Sequence, residues 1–172
     1  MTIGPITCTP SYGPQTAPRL RAAWRASLTA RWHKNADMCH IYDPNCGHSG
    51  RVALLAILLF PTAHAVHRAA ILHDIGENVV ADVDGETKRE NPDLAAILDR
   101  IEGEKIAALG IKFPKLDDIE RRMLWLCDKL DAFLWVQHHK PHLLQQLDWR
   151  EARSRILTEA NRLRVNVTEV VG

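Results

Sequence analysis

The chain has 172 residues, of which 46% are hydrophobic and 25% charged, and its formal net charge is +1. That length suits one domain with a sizeable core, and the near-neutral charge argues against electrostatically driven binding to duplex nucleic acid, leaving room only for a local basic pocket. No run approaches the roughly 18 apolar residues needed to span a membrane, and the start, Met1 to Pro5, lacks the basic and apolar regions of a signal peptide, so the expected location is cytoplasmic.

Residues 1–18 hold four prolines and little periodicity, and read as an irregular lead-in. From Arg19, the spacing of Leu20, Ala23, Trp24 and Leu28 predicts a helix with those residues as its buried stripe. Residues 34–47 form a long polar connection, with Asn35, Asp43-Pro44-Asn45 and Gly47 as turn residues, that reads either as surface or as an active-site loop. An apolar helix is expected from Ser49 to Phe60, stopped by Pro61, and a second from Ala63 to His73. Residues 82–91 read as another loop. Pro92 suits the first turn of a helix that carries Leu94, Ile97, Leu98, Ile101 and Ile106 and stops near Gly110. Asp117-Asp118 suits the start of a long helix running to His139, because acidic groups complement the helix dipole there. After Pro141, a last helix is expected over 144–163. Residues 165–172 alternate weakly and read as a tail. The predicted fold is all-α, one helical domain over residues 19–164.

The chemistry concentrates at His73-Asp74, which closes an apolar helix. An ionised Asp is rarely buried without a strong partner, and a divalent cation is one such partner. Glu77 follows four residues after His73, which on a continuing helix places it on the same face. His48 opens the apolar helix upstream, and Asp128 lies in the apolar context Leu124 to Leu134 of the long helix. Asp131, three residues on, competes with Asp128 as an acidic ligand on that helix. Cys39-His40 and Cys46-x-His48 admit a compact zinc knot. The plainer reading of Cys8, Cys39, Cys46 and Cys127 is reduced thiols, with Cys127 filling space in its helix.

A His, then His-Asp, then a distant Asp is the ligand order of the HD-domain metal-dependent phosphohydrolases, and this sequence resembles that superfamily. Within it the chain looks most like the bacterial HD-type 5′-deoxynucleotidases and the phage dATP triphosphohydrolases. The resemblance rests on Arg31-Trp32 upstream of His48, His73-Asp74-x-x-Glu77, Asp82, Lys88, and Asp128-Lys129-Leu130-x-Ala132-x-Leu134. It covers residues 31–134. Two stretches depart from the pattern: His33 to Gly47 is a couple of residues longer, and Val83-Asp84-Gly85-Glu86-Thr87 replaces a Pro-rich turn. Both would border the base and sugar, so base preference stays open.

The resemblance implies a single HD-type helical bundle in which His48, His73, Asp74 and Asp128 ligate a divalent transition metal. Co²⁺, Mn²⁺, Zn²⁺, Ni²⁺ or Fe²⁺ would suit that donor mix, with a second ion such as Mg²⁺ accompanying a triphosphate. It further implies that Glu77 handles proton traffic around a metal-bound water and that Asp82 holds the leaving group or a sugar hydroxyl. Arg31 and Lys88 would contact phosphate, and Trp32 would lie against sugar or base. Trp24, Trp125 and Trp135 are expected in the core, and His64, His67, His138, His139 and His142 carry no assigned role.

The expected activity is hydrolysis of 2′-deoxynucleotides at the α-phosphate. The leading form is a dATP-type triphosphohydrolase and the alternative a 5′-deoxynucleotidase acting on monophosphates. Alarmone hydrolysis is disfavoured by Asn78, which stands where that group carries an acid beside the Glu, and the Gly-Tyr-Pro signature of cyclic-dinucleotide phosphodiesterases is missing. A non-catalytic nucleotide-binding or assembly module is the rival from another class. Expected partners are a small deoxynucleotide and further copies of the chain, in a bacterial or phage-infected cell.

Overall fold

The computed structural model describes residues 16–77, 83 and 85–172. These form eight α-helices and one 3₁₀ turn: α1 Thr16–Ala26, α2 Asn45–Leu59, α3 His64–Leu72, α4 Gly85–Glu90, α5 Pro92–Ala108, α6 Asp118–His139, the 3₁₀ turn Pro141–Gln145, α7 Leu147–Arg162 and α8 Thr168–Val171. Among the described residues there is no strand, only an isolated antiparallel bridge between Ala30 and Pro44. The all-α expectation holds. Among them also, no helix is long and apolar enough to cross a membrane.

Helix α6 is the axis of the packing. Its start is fixed by a capping box in which the Asp117 side chain accepts from the Glu120 N–H and the Glu120 side chain accepts from the Asp117 N–H. This satisfies two donors that a helix start leaves unpaired. Helices α2, α3 and α7, the 3₁₀ turn and α8 pack around it. The core joins Val52 and Ala56 of α2, Val66 and Ala70 of α3, Leu126, Leu130 and Phe133 of α6, and Ile156 and Ala160 of α7. Cys127 is fully buried there, and burial pushes its thiol up to about 12, so it behaves as an apolar filler.

Several boundaries differ from the sequence expectation. Helix α2 begins at Asn45, not Ser49, so His48 lies inside the helix instead of before it. Part of the loop expected over 82–91 is helix α4. The expected last helix splits into the 3₁₀ turn and α7, with Gln146 extended between them. The tail is structured: Val167 and Val171, four residues apart, are buried in the main core as α8 forms. The N-cap Val167 and Val171, four residues on, share one face, a spacing that weak strand-like alternation also contains.

Helix α1 is the clearest correction. Leu20, Trp24 and Leu28 are 63%, 66% and 40% exposed, while Ala26 is fully buried. The chain after α1 runs hard against the start of α2, where the Asn45 N–H donates to Thr29 O at 2.9 Å and the Cys46 N–H to Ser27 O at 2.8 Å. Such a close approach admits only the alanine side of α1, which turns the large apolar side chains outward. Trp125 is likewise more exposed than a core role requires, and Leu94 and Ile97 of α5 lie largely at the surface.

Candidate metal centre

Two packed helices and one turn bring the candidate ligands together. His48 sits in the first turn of α2 and is fully buried. Asp128 lies midway along α6. His73 closes α3, and the chain then turns from His73 to Glu77 without remaining helical. The expectation that a continuing helix would align His73, Asp74 and Glu77 is therefore corrected: a tight turn, with Glu77 N–H donating to Asp74 O at 3.1 Å, folds Glu77 inward. Gly76 permits this. A Cβ there would stand 2.8 Å from Glu102 Cβ and 3.0 Å from Glu102 Cα, so any side chain would push α5 away.

The reactive atoms converge. His48 Nε2 lies 3.2 Å from His73 Nε2, 3.3 Å from Asp74 Oδ2 and 3.2 Å from Asp128 Oδ1. His73 Nε2 lies 3.2 Å from Asp74 Oδ1 and 4.0 Å from Asp128 Oδ1. His48, His73 and Asp74 each offer a ligand atom within 4.8 Å of the others, and Asp128 joins them through the two imidazoles.

The outer nitrogens fix what these atoms present. His48 Nδ1 donates to Asp131 Oδ2 at 2.6 Å, and His73 Nδ1 donates to Ala70 O at 2.9 Å. Both Nε2 atoms therefore aim lone pairs into the space that two carboxylates share. Four acceptors facing one another need a cation between them. With only a proton to supply it, burial lowers the pKa of His48 but its bonds to Asp128, Asp131 and Asp74 outweigh that and raise it to about 10. Burial would raise the Asp128 carboxyl, yet Lys129, His48 and His73 hold it well below the ordinary carboxylate range. Asp74 is also lowered, by His73 and His48 against its burial.

A divalent ion fits the same space. With ligand bonds of about 2.0–2.2 Å, neighbouring donors around one metal stand roughly 3.0–3.5 Å apart, and four of the five separations fall in that interval. Two imidazoles and two carboxylates suit a first-row transition metal.

The remaining expected residues take varied places. Glu77 is 7% exposed, and Asn45 Nδ2 bridges its Oε2 at 3.3 Å and Asp74 O at 3.0 Å. Asp131 binds the back of the His48 ring, on the side away from the shared space, so of the two acids on α6 it is Asp128 that stands with the other three. Arg31 pairs with Asp43 at 3.3 Å, and Trp32 Nε1 donates to the same carboxylate at 3.1 Å. Trp32 adopts a left-handed backbone, φ 65°, unusual for a bulky residue and frequent where a chain is held for function. Lys88 of α4 lies 3.5 Å from Glu102 of α5. Asp82 and Cys8 fall outside the described residues. Cys39 and Cys46 are free and exposed while His48 faces the other ligands, which leaves the zinc-knot reading without support.

Asp43 and Asn45, expected only as turn residues, and Arg51 and Lys129, for which no site role was expected, also stand at this site. Lys129 is half-exposed beside the ligand set, its Nζ 2.8 Å from Asp128 Oδ2. Compared with known proteins, the chain matches no family model, no curated protein and no solved structure.

Proposed function

We propose that this chain is a metal-dependent phosphohydrolase of the HD type acting on 2′-deoxynucleotides, with a triphosphate such as dATP as the leading substrate. The observation that carries the proposal is the meeting of His48, His73, Asp74 and Asp128 around one space as four facing acceptors. When bound there, a divalent cation supplies Lewis acidity at the phosphoryl group and brings water into its reactive range near neutral pH.

The chain's own groups then divide the remaining work. Glu77, buried next to the ligand turn and steadied by Asn45, takes or returns a proton at its carboxylate. Lys129 offers a half-exposed ammonium beside Asp128 to the phosphate oxygens. Trp32 and Arg31, fastened to Asp43, form a fixed corner for the sugar and phosphate. The outward apolar residues Leu54, Ile57 and Leu58 of α2 and Leu20 and Trp24 of α1 favour self-association of the chain.

A second reading, a 5′-deoxynucleotidase, draws on the pairing of the cations. Arg31 is paired with Asp43, Lys88 with Glu102 and Lys129 with Asp128, a set already matched by acids and suited to a single phosphate. Incubation of metal-loaded protein with each dNTP, dNMP and matching ribonucleotide separates the readings by product. Free deoxynucleoside from a triphosphate, lost in Asp74→Ala, identifies the triphosphohydrolase. Turnover of monophosphates alone identifies the nucleotidase. Silence on all of them with metal bound removes the deoxynucleotide proposal.

A further inference from the structure

We infer that Asp131, Arg51 and Asp43 form a positioning chain that orients His48 toward the metal and ties that ligand to the Arg31–Trp32 corner. Each of the two helices that supply the site provides a ligand and, one turn later, a member of this chain: His48 and Arg51 on α2, Asp128 and Asp131 on α6. Residues three apart share a helix face, so both pairs point the same way.

The contacts run without a gap. Asp131 Oδ2 accepts from His48 Nδ1 at 2.6 Å, and Asp131 Oδ1 accepts from Arg51 Nε at 2.7 Å. Arg51 Nη2 reaches Asp131 Oδ2 at 3.1 Å on one side, and on the other Asp43 Oδ1 at 2.9 Å and Oδ2 at 3.1 Å. The flat guanidinium lies over the Trp135 ring, 4.1 Å from its centroid. Asp43, fully buried, holds Trp32 Nε1 at 3.1 Å and Arg31 Nη1 at 3.3 Å, while Arg31 Nη1 also comes within 3.9 Å of Asp131.

The chemistry explains why these residue types are needed. A neutral imidazole can present either nitrogen, and a carboxylate accepting from Nδ1–H leaves only the Nε2 lone pair for a metal. A carboxylate on one imidazole bond would still pivot. A guanidinium, with donors in a rigid fork, pins it and has donors left for a second acid. Two acids and two arginines also balance their charges, which makes burial of Asp43 and Asp131 tolerable. Asp131 thereby acts as a positioning residue and not as a fourth ligand.

The metal arm of this inference stands apart from the nucleotide chemistry, and only the corner arm rests on the proposed function. Co²⁺ titration calorimetry on the full chain tests the first arm, with thermal unfolding as the folding control. Asp131→Ala is expected to weaken Co²⁺ binding by about 10–100-fold. Asp131→Asn, whose amide oxygen can still accept from Nδ1–H but whose NH2 then faces Arg51 Nε, recovers part of that loss. Arg51→Met, which touches no ligand, weakens binding by a smaller factor and serves if Asp131→Ala does not fold. Asp43→Asn, two contacts removed from His48, weakens Co²⁺ binding least of the three positions and raises KM for the deoxynucleotide. Wild-type Co²⁺ affinity in both Asp131→Ala and Arg51→Met overturns the positioning chain alone, as does an equal loss in Asp131→Ala and Asp131→Asn. Failure of the wild-type chain to bind Co²⁺ defeats the proposed function as well.

Discussion

The two sides of the ligand turn are built differently. On the side of α2 and α6, His48 and Asp131 are almost fully buried and every polar atom of the Asp131 carboxylate is engaged. On the side of α4 and α5, Gly76 closely approaches Glu102, Lys88 of α4 pairs with Glu102 of α5, and Leu94 and Ile97 remain largely exposed. Glu102 Oε1 is buried without a formed hydrogen bond, and burial pushes its carboxyl above the ordinary value despite Lys88. One charged network fixes both the geometry for holding a metal and the Arg31–Trp32 corner, while among the described residues the α5 side meets the ligand turn through a close approach at Gly76. Substitutions in the network should therefore act on metal binding, and those at Gly76 on stability.

The comparison breaks most completely at the ligands. Asp128→Ala and His73→Ala should each remove metal binding and all metal-dependent hydrolysis, as read by calorimetry and product assay, with the fold kept. Glu77→Gln should retain the metal and lose about 10²–10⁴-fold in kcat, a split that separates proton handling from ligation. Lys129→Ala should raise KM by roughly tenfold, in line with one hydrogen bond to a charged group, and leave the Co²⁺ stoichiometry unchanged. On the α5 side, Gly76→Ala should cost about 1–3 kcal/mol of stability through overpacking, measured by denaturant unfolding.

A further effect is in pH. In the metal-free protein the His48 pKa is raised from 6.5 to about 10. A raised pKa contributes stability that is fully present below pH 6.5 and is lost as pH rises through 10. The melting temperature of chelator-treated protein should accordingly fall between pH 7 and pH 10, and saturating metal, which takes the place of that proton, should flatten the fall.

The sequence made His48, His73, Asp74 and Asp128 legible because each is a polar group set into an otherwise apolar helix, where it needs a partner. The same reasoning left Asp131 beside Asp128, since residues one turn apart share a face and periodicity does not tell which acid meets the front of an imidazole and which the back. The Asp43–Arg51–Asp131 contacts join residues up to 80 positions apart, and nothing local marks which acid meets which arginine. The α1 stripe failed for a related reason. Spacing reveals that a helix is amphipathic, but the close approach of Thr29 and Asn45 puts Ala26 of α1 against the body of the protein. The acidic start of α6 at Asp117-Asp118 and the proline that opens α5 were readable because such signals act within one turn, whereas the partner role of Glu120 in the cap was seen only in the structure.

The most direct test of the central claim is the number of Co²⁺ equivalents bound by the chelator-stripped chain and by its Asp128→Ala and Asp131→Asn variants. One tight equivalent is expected in the wild type, none in Asp128→Ala and one in Asp131→Asn. Tight binding that survives Asp128→Ala but is lost in Asp131→Asn, or no tight equivalent in the wild type, would contradict it.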